Sequence, residues 1–462
     1  MKLKFVLIMG LIVMPCIALA QERANYEAPS LIGHSLRMMK TAGYWIGRHP
    51  SPDAVIMSPE QIDQFNARLR SGTNLMANEA NGPIEKKLTK DIFTLIQDLK
   101  TESLLEDIEK TLSGIMSKGY YTAAGVRDDV DFMDNIKRNM NLSGVVIGVA
   151  PRYGLVVHYA SQRFLPTKQG LYEEKDEFDF DQLQNSALDV GTPVAVVHSS
   201  ADGLWYYVLT SISDGWVEAR DIALGDVNQV REFAGDKDFA VIIKPKADIF
   251  LNESMTNYYD YVRMGVHLPL SSVDSGRVTV NVPVMAADGT LLVKEAYMNA
   301  EDVNPGFLPM TARNIYKQAL MMLNQPYGWG DMYGEQDCSR FLQMVFATMG
   351  IALPRDSKDQ MQVSSRVVDF DEKSNDRKKI TAITKAPAGN TLLAMKGHIM
   401  LYLGTVDGKP YVIHDTTGYK QAVDQKEVNF VIDRVIISDL SLGQGTQKGS
   451  LLRRLLRTVT IE

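Results

Sequence analysis

The hydrophobic period changes near Leu142 and again near Thr311, so the chain reads as units of different architecture rather than one repeating layer. Residues 58–142 follow a helical period. Ser58 is an N-cap candidate ahead of Pro59 and Glu60. Ile62, Phe65 and Leu69 form one apolar face. Ile92, Phe93, Ile96 and Leu99 form a second, continued by Leu104, Leu105, Ile108 and Leu112. Nothing there carries chemistry, so this region reads as a packing module.

After Leu142 come short β-rich runs, "GVVIGVAPRYGLVVHYASQRFLP" and "GTPVAVVHSSADGLWYYVLTSISDGWVEARDIAL". Asp202-Gly203 and Asp214-Gly215 read as turns between them, and the whole as a small barrel. A second β-rich unit runs from about Phe239 to Val303. Val278, Val280, Val282 and Val284 alternate strictly, and "AADGT" turns the chain into "LLVKEAYM". The two units form a possible degenerate pair. From Thr311, a capped helix carries Ile315, Ala319 and Leu323, and a helix from Ser339 turns Phe341, Leu342, Val345, Phe346 and Met349 inward before Gly350. A long polar segment, Ser364 to Lys379, precedes the strands "GHIMLYLG" and "KPYVIHDT". The last unit is therefore α+β.

The first residues read as a leader: Lys2 and Lys4, an apolar run from Phe5 to Val13, then Ala18-Leu19-Ala20 as a small-residue cleavage site. Export to the periplasm is the expectation. Lipoprotein anchoring at Cys16 is the rival, disfavoured by Pro15. A formal net charge of −7 without a Lys/Arg run offers no footprint for nucleic acid. No second stretch of about 18 apolar residues suggests a membrane span.

Loss of the leader leaves Cys338 as the one cysteine. No disulfide framework and no zinc spacing exists, and no metal or organic cofactor is expected. Cys338 stands at a helix N-terminus, where amide N–H groups favour a thiolate. A nucleophilic thiol needs an imidazole to take its proton and return it to the leaving group, and a third group to orient that imidazole. His398 and His414 are the two histidines C-terminal to it, one opening a strand and the other closing the next. His398 is the candidate base and His414 the orienting residue. His34, His49, His158, His198 and His267 read as surface or packing residues. A two-residue turn at Asp407-Gly408 would pair His414 with Leu401, whose side chain faces away from His398, so the pairing demands an odd loop or a bulge. The bland alternative for Cys338 is a buried small hydrophobe; the polar flanks Asp337 and Ser339 argue against burial.

"PYGWGD", "DCSRFLQ", "LPRDSKDQ", "GHIMLYLG" and "YVIHDTTG" together resemble, in order, the NlpC family of papain-like bacterial cell-wall peptidases, over residues 311–440. The rest is similar to a subgroup with a helical segment and two bacterial SH3-like domains ahead of the peptidase. The resemblance implies a multidomain α+β chain: signal peptide 1–20, helical stabilising segment 21–145, SH3-like barrels 146–230 and 231–308, and a papain-like peptidase domain 309–462. It implies Cys338, His398 and His414 as the catalytic set. The implied activity is cleavage of the bond between γ-D-glutamate and the diamino acid of peptidoglycan stem peptides, several relatives requiring a free N-terminal L-alanine. Asp337, Ser339, Asp356 and Ser357 stand where the subgroup contacts that alanine, and Tyr327 matches an aromatic near the nucleophile. Glu173, Trp205 and Tyr206 are candidates from the first SH3-like domain. Two departures stand out. Gly330-Asp331 replaces two glycines, and Ser339-Arg340 replaces Ser-Gly, making Arg340 a surface charge near the site. The alternatives are a wall-binding protein with vestigial catalysis, and an acyltransferase or amidase using the same triad.

Overall fold

The structure, a computed structural model, describes residues 34–72, 77–78, 82–83, 87–94, 101–145, 151–371, 374–424 and 426–462. Residues 1–20, read above as a leader, with Cys16, and the apolar positions Ile96 and Leu99, lie outside the described residues. No described helix is long and apolar enough to cross a membrane.

The helical region serves two cores rather than one. Ser58 caps the helix Pro59–Ser71 through a capping box with Gln61, and Gly72 ends it in the left-handed region at φ 74°. Its buried face, Ile62, Phe65 and Leu69, joins Met39 and Trp45 in the core of the C-terminal unit. The helices Thr101–Met116 and Val130–Met140 instead pack Leu104, Ile108, Ile136 and Met140 against Leu165, Leu183, Trp205 and Trp216 of the first β unit.

Each β unit is a seven-stranded antiparallel sheet with two ends, not the closed barrel expected. The physical reason lies at the edges. In the first sheet the edge strand Gln184–Leu188 pairs only with Ala160–Arg163. Its other side meets a loop of the C-terminal unit: Gln184 Nε2 donates to Gly330 O at 3.0 Å. In the second, the edge strand Tyr258–Arg263 sends Arg263 to Glu335 O at 3.1 Å. On these edges the Ala187 amide donates to Asp331 and the Arg263 amide to Asp189, so side chains rather than a closing strand answer edge donors. Val278, Val280, Val282 and Val284 all face the core of the second sheet, along the strand Arg277–Met285. Asp214-Gly215 is not a turn; it opens the strand Asp214–Glu218.

In the C-terminal unit, Thr311 caps the helix Ala312–Met321, and a second helix runs Cys338–Ala347. Both pack on one face of a six-stranded antiparallel sheet, ordered Val367–Asp369, Leu455–Thr460, Thr391–Met395, His398–Val406, Lys409–Val423, Lys426–Asp439. The stretch Ser364 to Lys379 is not simply a polar connection. It holds the edge strand Val367–Asp369 and opens the helix Asp376–Lys385, capped by Asn375. That helix buries Ile383 on the sheet's other face. Its many charges hid a narrow apolar stripe.

The histidine hairpin does close with a two-residue turn, Val406 pairing with Lys409 around Asp407 (φ 51°) and Gly408 (φ 75°). The required bulge is also present. Register shifts between Tyr402 and Gly404, so Leu401 pairs with Ile413 instead of His414. Gly404 sits there at φ 142°, and a Cβ on it would lie 3.5 Å from Trp45. His398 and His414 therefore share a face.

Candidate active site

Asp337 caps the Cys338 helix, its carboxylate accepting from the amides of Ser339 and Arg340 at 3.1 and 2.9 Å. The Ile399 amide donates to the Cys338 sulfur, so the thiol lies against the first peptides of the histidine strand. His398 Nε2 meets His414 Nδ1 at 2.8 Å, and His414 Nε2 meets Ser438 Oγ at 3.0 Å. Ser438 lies on the strand Lys426–Asp439 and has no sequence signal; only the pairing of Val412 with Ser438 sets it diagonal to His414.

Burial decides the resting charges. Cys338 is buried despite its polar flanks, and burial, reinforced by the Asp337 carboxylate, pushes its thiol up to about 12. The expected lowering by the helix N-terminus is outweighed. Burial, with Arg454 as the second cause, lowers His398 to about 4, and burial holds His414 well below the usual imidazole range. At neutral pH Cys338 rests as a thiol and both imidazoles rest neutral.

The acceptors of Asp337 and Ser339 are turned to Arg355. Its guanidinium donates to Asp337 at 2.8 and 3.1 Å and to Ser339 Oγ at 3.1 Å. Tyr327 is held beside the thiol by its amide bond to Asp433 O and by a bridge to Gln336; burial raises its phenol, with Asp337 and Cys338 adding. Gln336 in turn donates to Pro326 O and to the buried Asp415, both at 2.8 Å. Asp356 is exposed and pairs with Lys358 at 3.2 Å, while Ser357 begins the short helix Ser357–Gln360.

Asp356 lines a cleft of about 670 Å³ with Trp329 and Arg355 of its own unit, Asn185, Tyr207 and Asp214 of the first sheet, and Lys90. Glu173, Trp205 and Tyr206 do not line it. Trp205 is buried in the core, and Tyr206 stacks under Arg152. Arg340 is not a surface charge: its side chain is 12% exposed and bonds Asp189 at 2.9 Å. Among the described residues no group of three or more His, Cys, Asp or Glu side chains could hold a metal.

Comparison with known proteins places two segments. The SH3 domain (SH3b1 type) model matches residues 171–218, and the NlpC/P60 family model matches residues 324–437. A γ-D-glutamyl-L-lysine dipeptidyl-peptidase of Bacillus cereus is 27% identical over 198 residues, covering 39% of this chain. The match spans only 54% of that relative's length. An NlpC/P60 endopeptidase of Photobacterium damselae subsp. piscicida shares the fold, with a TM-score of 0.71 at 20% identity over 91% of this chain and 96% of that one. An NlpC/P60 family protein of Bacillus cereus aligns at a TM-score of 0.41 and 21% identity, over 60% of this chain and 81% of that one.

Proposed function

We propose that this chain, whose residues 324–437 form an NlpC/P60 domain, is an exported cysteine endopeptidase of peptidoglycan stem peptides, cutting between γ-D-glutamate and the diamino acid. The observation that carries this reading is the 2.8 Å contact of His398 Nε2 with His414 Nδ1, together with a thiol at a helix N-terminus whose sulfur accepts from the amide of Ile399, the residue after His398.

The hydrogen bonds suit one direction of proton flow. With Ser438 accepting from His414 Nε2–H, His414 Nδ1 accepts from His398 Nε2–H, which leaves His398 Nδ1 as a free base. His398 takes the Cys338 proton as the sulfur attacks the γ-glutamyl carbonyl. Because thiol and imidazole rest neutral, this transfer accompanies attack rather than preceding it. The oxyanion forms at the helix start, where the Cys338 N–H has no intrahelical acceptor. His398 then protonates the leaving amine, and water hydrolyses the thioester to regenerate the thiol. Asp356, with its exposed carboxylate on the cleft wall, is suited to an N-terminal L-alanine ammonium. Asp337 and Ser339 serve this site through Arg355.

The test is mass spectrometry of L-Ala-γ-D-Glu-diaminopimelate incubated with the protein, with Cys338→Ala, and with an N-acetylated copy of the peptide. Release of L-Ala-γ-D-Glu by the unmodified protein alone, and not from the blocked peptide, is expected. Cleavage of both peptides keeps the peptidase but removes the amino-group role of Asp356. No cleavage by folded, reduced protein sinks the reading.

A further inference from the structure

Asp331 and Arg340, the two positions that depart from the family pattern, meet in the fold. Asp331 is fully buried at φ 68°, a left-handed conformation that ordinarily favours glycine. Its Oδ1 accepts from Arg355 Nη2 at 3.2 Å. Its Oδ2 accepts from Ser186 Oγ and the Ala187 amide, each at 3.3 Å. The same oxygen lies 3.5 Å from both Arg263 Nη1 and Arg340 Nε. Arg340 Nε has no other acceptor, while its Nη2 reaches Asp189. Arg263 is bonded to the same Asp189, and Arg355 to Asp337. Three arginines and three aspartates, contributed by both sheets and the C-terminal unit, thus sum to zero charge in a nearly dry junction ending at the cap of the Cys338 helix.

The geometry points to Asp331 and Arg340 as a mutually dependent positioning pair that sets the electrostatic environment of Cys338 through Arg355 and Asp337. Removing either charge from such a junction leaves the opposite charge buried and uncompensated, which costs more than removing both. The charged and titratable groups that act on the thiol are Asp337 at its own helix cap, Asp415 and Arg355, with the Tyr327 phenol coupled to it. Arg355 and Asp337 act on it in opposite senses, Asp337 raising and Arg355 lowering its affinity for a proton. Asp331 and Arg340 themselves touch no reacting atom; they decide how much of the Arg355 charge is already answered. The inference rests on reading Cys338 as the reactive thiol, yet it concerns only that thiol's ionisation.

The test uses the full chain with Asp331→Asn, Arg340→Gln and both together. The readout is the pH dependence of Cys338 alkylation by iodoacetamide, followed by peptide mapping and needing no substrate. Asp331→Asn leaves surplus positive charge, so alkylation at pH 7.5 rises about threefold or more and its midpoint falls. Arg340→Gln shifts both the other way. The double variant returns to within about twofold of the parent in alkylation, as opposite charge changes require, and in thermal melts it regains most of the unfolding midpoint that each single variant loses, the signature of a coupled pair. Single variants that do not shift alkylation in opposite directions, or a double variant whose loss of unfolding midpoint is the sum of the two single losses, overturn the inference. Should Asp331→Asn not fold, recovery of folded, alkylatable protein in the double variant supports the pair and failure to recover refutes it. Loss of peptide cleavage throughout, with these alkylation shifts intact, would count against the proposed reaction alone.

Discussion

At the scale of single residues, burial sets the chemistry more than sequence neighbours do. His398 rests neutral because desolvation disfavours its cation, and Arg454 adds to that. Its base form is lost as pH falls through about 4, so kcat/KM should drop there and stay level above pH 5 as far as this group is concerned. Arg454→Met removes a positive charge and moves that acid limb to higher pH; an unmoved limb in a pH–rate profile would refute the assignment. The same shift governs stability. An unfolded histidine titrates near about 6.5, so between there and about 4 the unfolded chain binds a proton that folded His398 refuses. Stability therefore falls as pH drops through that window, and His398→Gln should flatten the dependence of Tm on pH. Ser438→Ala removes the acceptor that orients His414. We expect kcat to fall about 10-fold with KM little changed, in line with loss of an orienting hydrogen bond. Equal effects on both constants in steady-state kinetics would contradict a purely orienting role.

At the scale of elements, one extra residue decides whether the two histidines meet. The turn at Asp407-Gly408 has the sequence of a two-residue hairpin, which alone would separate the histidines to opposite faces. The shift at Tyr402–Gly404 restores a common face, and it depends on a glycine at φ 142° packed near Trp45. Gly404→Val strains that backbone by about 1–3 kcal/mol. A lower unfolding midpoint together with a lower kcat is expected from thermal melts and kinetics; a fully active, equally stable variant would show that the bulge does not need this glycine. The helix elements were legible for a local reason. Ser58, Thr311 and Asp337 cap helices using groups within three residues of the cap. The helix Asp376–Lys385 was illegible because Lys379, a charged residue, is among those it buries, donating to the carbonyls of Arg453 and Leu455.

At the scale of the whole molecule, the helical region is divided between partners. Trp45 is fully buried in the C-terminal core, its indole N–H donating to Met39 O at 2.7 Å. Trp45→Ala opens a cavity beside Gly404 and should cost about 3–5 kcal/mol in denaturant unfolding. A loss below about 1 kcal/mol would mean that the N-terminal segment does not stabilise the C-terminal unit. The sheets are likewise more than appendages. Asp189 of the first and Arg263 of the second reach the junction behind the Cys338 helix. This arrangement is why Arg340, a surface charge on sequence grounds, is interior.

What the sequence determined by itself was whatever depends on short spacing: the switch from helical to alternating period, the caps, the valine alternation, and a lone thiol followed by two histidines on successive strands, of which His398 opens its strand while His414 lies within Lys409–Val423 rather than closing it. Those signals survive because backbone geometry repeats every 2 or 3.6 residues. Tertiary structure alone decided the bulge that aligns His398 with His414, the Ser438 contact, the open sheet edges and the buried charge junction around Asp331. Each joins groups far apart in the chain, and desolvation, which reverses the expected ionisation of Cys338, exists only once those distant segments have closed over it.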